Sequence, residues 1–198
     1  MKKYDSVRVF KNPVLESLTH VHPIIPLLVW TPVAIFLLSR HELSAFQWIL
    51  WVLIGLISWT ITEYTLHRWV FHYEATSKLG KRLVYLFHGL HHDDPNDPTR
   101  LVFPPLPAAA IFCVLYLIFS SIVPAPYVNV FCGSFVVGYL IYDYIHYATH
   151  HFPMTSPIGK MLRTHHLKHH FSKEHSKYGV SSPLWDVILG TLTGPKKD

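Results

Sequence analysis

Cysteine is scarce: Cys113 and Cys132 are the only two in 198 residues, and both lie in apolar runs. There is no CxxC pair, so neither a disulfide framework nor a thiolate metal site is supported, and both thiols read as small buried hydrophobes. Charge is scarce too. Asp, Glu, Lys and Arg make up 15% of the chain while 50% is hydrophobic, a low charged fraction for a soluble protein. No basic run is interleaved with exposed aromatics, which argues against a nucleic-acid partner. No short apolar core followed by small residues stands near the start, so no cleavable signal peptide is expected. Any metal must be held by imidazole, and imidazole is abundant: the chain has 16 histidines.

The apolar residues come in long runs rather than amphipathic stripes, the pattern of membrane spans. Four spans are expected, at about 23–39, 45–62, 105–123 and 127–142. Pro23, Pro26 and Pro32 should bend the first. The second carries Trp48, Trp51 and Trp59, and its helix should continue through Glu63 to His72; the fourth should continue through Asp143 to His151. Asp93 to Pro98 and Pro124 to Pro126 are turn chemistry. Residues 1–22 read as a cytosolic polar tail with a short surface helix, and 23–198 as one domain. The piece from Tyr178 to Thr191 can lie against the membrane surface. The expected fold is all-α: four transmembrane helices and a cytosolic helical cap made of 63–104 and 143–198. Charge supplies the orientation. Of 17 Lys and Arg, Arg40 alone falls on the far side of such a bundle, so both termini and the cap are expected in the cytosol.

Ten histidines form four clusters in that cap. His88, His91, His92 and His166, His169, His170 are two HxxHH triplets; His67 with His72, and His146 with His150, are pairs. On an α-helix, residues i and i+4 lie about 40° apart, so His146 and His150 can face one pocket. His67 and His72, at i and i+5, lie about 140° apart and are expected to reach different ions of a pair. Neighbours within a triplet diverge by about 100°, a fan that suits two metals better than one. Structural zinc closes with four ligands. Ten imidazoles instead fit two six-coordinate ions with one open position each, the arrangement in which iron handles oxygen. Glu63, four residues before His67, and Asp143, three before His146, are expected to orient bound imidazoles; helix-end solvation or pairing with Arg68 is the alternative for these carboxylates. His165 competes with His166 through its i, i+4 relation to His169, but the symmetry of the triplets favours His166. His151 is similarly ambiguous. His20, His22, His41 and His175 fit no cluster and read as surface residues. A solvated or pH-sensing set is disfavoured by four clusters at helical spacing on one face. The chain also reads as two halves, each with two spans, a histidine pair and a triplet.

The series HxxxxH, HxxHH, HxxxH, HxxHH on four spans resembles the fatty acid hydroxylase and sterol desaturase superfamily. The flanking residues narrow it. Glu63 to His72, His88 to Pro105, Tyr142 to Tyr147 leading to His150, Lys168 to Phe171, and Gly179 to Asp186 look like the corresponding stretches of fatty acid 2-hydroxylases, over about Trp59 to Thr191. The resemblance implies hydroxylation at carbon 2 of a free fatty acid or a ceramide acyl group, giving the (R)-2-hydroxy product. It implies two iron ions, which zinc can replace, together with O2 and two electrons. It implies a multi-pass protein of the endoplasmic reticulum in a eukaryote or of the inner membrane in a bacterium. No HPGG motif of a fused cytochrome b5 domain is present, so a separate donor, such as cytochrome b5 or a ferredoxin with its reductase, is expected to dock on the basic face. Arg100 or Tyr144 is expected to hold the substrate head group. A sterol or carotenoid oxidase keeps the same chemistry on another substrate. A membrane metal transporter fits less well, because transporters place ligands near the bilayer midplane.

Overall fold

The apolar runs form helices, and the polar segments between them form capped turns. The computed structural model describes residues 6–172 and 176–194, and among these there is no strand. The helices are α1 (Pro13–Ser17), α2 (Ile24–Ser39), α3 (Ala45–Thr65), α4 (Lys78–Val84), α5 (Leu90–Asp93), α6 (Pro105–Ile122), α7 (Val128–His151), α8 (Pro157–Phe171) and α9 (Leu184–Ile188). Two π-turns interrupt the α geometry, at Leu66–Phe71 and Tyr85–Gly89. His175 lies outside the described residues. Three stretches are long and apolar enough to cross a membrane: Ala45–Phe71, Pro105–Ile122 and Ala125–His151; Ile24–Ser39 is apolar but shorter. The continuation of α3 to Phe71 and of α7 to His151 agrees with the sequence reading.

The chain divides into two units, 1–59 with 98–143, and 60–97 with 144–198. In the first unit, Leu37, Val128, Phe131 and Cys132 form a buried cluster, joined by Trp51, Phe112, Phe119 and others. Small residues let the helices approach closely. A Cβ on Gly138 would stand 2.6 Å from Trp59 Cβ, and one on Gly55 would fall on Ser134 Oγ. The outer side of α6 is bare hydrocarbon: Leu106, Val114, Leu117 and Ile122 are all exposed. A water-soluble protein does not leave such a surface uncovered, whereas lipid covers it. Cys113 lies on this helix and is exposed, unlike buried Cys132; the expectation that both are buried fails for Cys113 because α6 turns its apolar surface outward.

Residues 6–22 are more ordered than a tail. Asn12 caps α1 by accepting from the Val14 and Leu15 amides. The Glu16 carboxylate accepts from the Val9 and Phe10 amides at 3.0 and 2.7 Å and from Arg100 at 2.6 Å, and it meets His20 at 3.0 Å. Burial opposes ionisation of Glu16, but these partners outweigh it and bring its pKa down to about 2. His20, expected as an ordinary surface residue, is part of this network and also reaches Thr99 Oγ1 at 2.8 Å.

Candidate metal centre

The second unit gathers the ten clustered histidines. The first π-turn explains how. Its i→i+5 hydrogen bond, from the His72 amide to the His67 carbonyl at 3.3 Å, brings residue i+5 back over residue i. His67 and His72 therefore point the same way, contrary to the expectation from ideal α geometry that they would reach different ions. Ser77 caps α4, which leads through the second π-turn into the His88 triplet. Ser156 caps α8 with Pro157 at its start, and α8 carries the last triplet.

Two groups result. His67, His72, His88, His92 and His169 bring one ring nitrogen each to within 4.8 Å of one another, and so do His91, His146, His150, His166 and His170. Each triplet divides in the same way: its first and last histidines join one group and its middle histidine joins the other. His166 lies in the second group, while His165 faces Asp186 at 2.9 Å. His151 packs at a tilt against Tyr147 and lies outside both groups.

The facing Nε2 atoms are too crowded to be explained by hydrogen bonds. His88 Nε2 stands 3.0 Å from that of His67 and 2.9 Å from that of His92. His91 Nε2 faces His146 at 2.9 Å and His170 at 3.0 Å, and His166 Nε2 faces His150 at 2.8 Å and His170 at 3.0 Å. An imidazole nitrogen has one in-plane site, so it can serve one such partner and not two. Lone pairs converging on a common centre satisfy all of them. With metal–nitrogen bonds of about 2.0–2.1 Å, ligands at right angles stand about 2.9 Å apart and tetrahedral ligands about 3.3 Å. The observed spacings lie nearer the right-angled value, so each five-imidazole group would suit one metal ion.

Protonation favours binding as well. Burial, reinforced by repulsion from neighbouring imidazoles, holds His88, His91, His166 and His170 well below the usual histidine range and brings His92 down to about 3. All five are neutral at pH 7, as metal ligands must be. Two tautomers are fixed by backbone. His67 Nδ1 donates to the Tyr178 carbonyl, and His169 Nδ1 donates to the Ser176 carbonyl at 2.8 Å, leaving each Nε2 lone pair free for the centre.

Both carbonyls belong to a strap, residues 176–181, held by two buried carboxylates. Glu63 accepts from the Val180 and Ser181 amides at 2.7 and 2.8 Å and from the Ser181 hydroxyl. Asp186 accepts from the Tyr178 and Gly179 amides at 2.8 Å each and from Thr191 Oγ1 at 2.7 Å. Burial pushes the Asp186 pKa up, but these bonds, led by that from His165, bring it down overall. A Cβ on Gly179 would collide with the Ser182 carbonyl, so the strap needs glycine there. Glu63 thus reaches His67 only at one remove, through the backbone of the strap. Asp143 instead accepts from the Phe103 amide at 3.2 Å and from Tyr139 OH at 3.4 Å, within the first unit. Among the described residues neither Glu63 nor Asp143 bonds an imidazole. Sequence reasoning assigned Asp186 no role; a lone carboxylate in the apolar run Pro183 to Leu189 was the available signal, since a buried charge must be compensated. Arg100, expected at the head group, sits in the first unit with Ser6, Thr19 and Glu16. Tyr144 is half-buried on α7.

Comparison with known proteins gives one consistent result. The model of the fatty acid hydroxylase family matches residues 52–191. A dihydroceramide fatty acyl 2-hydroxylase of Arabidopsis thaliana is 38% identical over 193 residues, covering 96% of this chain and 81% of that protein. The human fatty acid 2-hydroxylase is 38% identical over 148 residues, 73% of this chain and 40% of that protein. A solved structure described as full-length scs7p with only the hydroxylase domain visible superposes with a TM-score of 0.90 at 29% identity, over 97% of this chain and 74% of that one.

Proposed function

Because the chain belongs to the fatty acid hydroxylase family, we propose that it is a membrane monooxygenase that hydroxylates carbon 2 of a fatty acyl chain and gives the (R)-2-hydroxy product. The observation that carries this reading is the pair of five-imidazole groups. His67, His72, His88, His92 and His169 hold one ion, and His91, His146, His150, His166 and His170 hold the other. The ions are iron in the working enzyme; bound there, iron supplies the activation of O2 that no side chain of this chain can perform. One oxygen atom enters the C–H bond, and the other leaves as water with two protons and two electrons from a separate carrier, cytochrome b5 or a ferredoxin.

The protein's own contribution is placement. The backbone strap locks the tautomers of His67 and His169, and burial keeps the imidazoles neutral and limits water at the centre. The chain is proposed to cross the membrane four times and to carry a cytosolic cap, with the substrate's acyl tail held in the bilayer. Tyr144 is the side chain proposed to meet the substrate's head group, and no such role is proposed for Arg100. The acyl group of a ceramide is the favoured substrate, on the strength of the Arabidopsis relative's name. The membrane is the endoplasmic reticulum in a eukaryote and the inner membrane in a bacterium.

The test is mass spectrometry of lipids from an expressing host, with His169→Ala as control. Ceramides and fatty acids bearing a 2-hydroxyl should accumulate with the native chain and be absent with the variant. Oxidised sterols or carotenoids in their place would reject the acyl assignment.

A further inference from the structure

We infer that the groove along the outer face of α8 is the docking surface for an acidic one-electron carrier protein, the reductant of this enzyme. The inference rests on the monooxygenase reading. Each turnover converts R–H, O2, two protons and two electrons to R–OH and water, and the carrier is oxidised by one electron at each of two encounters.

The groove has a volume of about 1060 Å³, and its walls include Lys160, Met161, Lys168, Lys177, Pro183 and Leu192. Among the described residues lining it, three are lysines and none is a carboxylate. A lining that mixes lysines with the apolar Met161, Pro183 and Leu192 suits a brief, electrostatically steered encounter with an acidic protein: charge speeds arrival, and modest apolar contact permits departure. A bilayer surface is flat and would leave the concavity unfilled, whereas a protein surface can enter it.

Position supplies the second argument. On α8, Lys160, Met161, Thr164 and Lys168 are exposed while Leu162, His165, His166 and His169 are buried. The groove and the metal-facing histidines are thus opposite sides of one helix, about 10 Å thick. The linkage across it is short. Lys168 is bonded through backbone to His169. Lys177 Nζ donates to Ser176 Oγ at 3.0 Å, and the Ser176 carbonyl holds His169 Nδ1 at 2.8 Å. A carrier seated in the groove is therefore separated from the centre by little more than this helix.

The experiment uses the iron-loaded protein in phosphatidylcholine nanodiscs, with the pre-reduced haem domain of a cytochrome b5 as the probe. The double variant Lys160→Glu/Lys168→Glu should lower the second-order rate of carrier reoxidation and its binding affinity roughly tenfold at low salt. The gap should close at about 0.5 M salt, where exposed charges are screened. Iron content, and the product formed when dithionite replaces the carrier before O2 is admitted, should not change. Carbodiimide should cross-link carrier carboxylates to Lys160 or Lys168. Lys81→Glu, on exposed and equally basic α4, is the control and should behave like the native chain. The assignment is overturned if the double variant matches the native chain, if Lys81→Glu is the variant that loses reduction, or if the lysines govern binding to phosphatidylserine vesicles and not carrier reoxidation. A native protein that forms no 2-hydroxy product even after dithionite reduction rejects the monooxygenase reading itself, and the two failures are thereby distinguished.

Discussion

The middle histidine of each triplet is the most informative single residue, because it is the one that crosses over. His91 joins the group otherwise built from His146, His150, His166 and His170, and His169 joins the group of His67, His72, His88 and His92. Neither group is complete without a residue from the other half of the chain. His91→Ala and His169→Ala should therefore each deplete a different ion and each abolish product, with metal content measured by plasma mass spectrometry; full product from either variant would remove that residue from the centre. Asp186 is the residue whose effect is least direct. Asp186→Asn replaces a charged acceptor of several hydrogen bonds, a loss of about 1.5–3 kcal/mol per charged bond. Because the strap it holds carries the carbonyls for His67 and His169, metal affinity of the first group should fall about 10–100-fold. Titration by a chelator should show that group emptying first. Acid acts on the same residues. Imidazoles whose folded pKa is depressed bind fewer protons than in the unfolded chain from pH 6.5 downward, so their contribution to stability is complete above 6.5 and lost as pH falls, toward about 3 for His92. Each such group contributes up to about 1.4 kcal/mol per pH unit in that window. The unfolding temperature of the metal-stripped protein should drop steeply between pH 7 and 5; a flat profile would mean that the imidazoles titrate alike in the folded and unfolded chain.

At the scale of elements, the first π-turn does what an α-helix cannot. Five residues separate His67 from His72, and only the wider turn at Leu66–Phe71 returns the second over the first. The other half of the chain achieves the same alignment with His146 and His150 at i, i+4 on regular α7. The π-turn is thus equivalent to one extra residue absorbed in place. Deleting Val70 should let the segment relax to an α-turn with the two histidines still aligned, and metal content should stay within about twofold. Inserting one alanine after Val70 should swing His72 about 100° away and empty the first group; equal retention by both variants would show that the turn geometry is irrelevant. This is also where the limit of the sequence lies. The helix runs, the ten clustered histidines and the fan of each triplet toward two groups were legible, because apolar runs and i, i+4 spacing follow from helix geometry; which member joins which group was not. The sharing of one group by His67 and His72 was not, because π-turns leave no compositional mark. The strap was hidden for a related reason: its functional atoms are the carbonyls of Ser176 and Tyr178, which every residue possesses.

For the whole molecule four crossings of the bilayer are proposed, and contacts within the first unit support them. Three stretches pass the length requirement, and α2, with 16 residues, does not. At 1.5 Å per residue α2 is about 24 Å long against a hydrocarbon core of about 30 Å. The Val21 amide nevertheless donates to the Thr99 carbonyl at 2.8 Å, and Arg100 reaches Glu16 at 2.6 Å. Residues 16–21 therefore share a side with residues 99–100, which precede α6. Crossing by α3 puts its own start, beside Arg40, on the opposite side. On the proposed four-span reading the chain between Val21 and Ala45 would traverse the membrane through α2, its shortfall taken up by local thinning of the bilayer. In a background lacking Cys113 and Cys132, Glu42→Cys should react with an impermeant maleimide only from the face opposite the cytosol, and Lys11→Cys, on the other side of α2, only from the cytosolic face. Labelling of both from one side would reduce the count to three, detach the N-terminal segment from the Arg100 network, and predict that Glu16→Gln leaves stability unchanged. With four spans, the same substitution should lower the unfolding temperature, because the Glu16 carboxylate is the anion around which Arg100, His20 and two backbone amides are gathered.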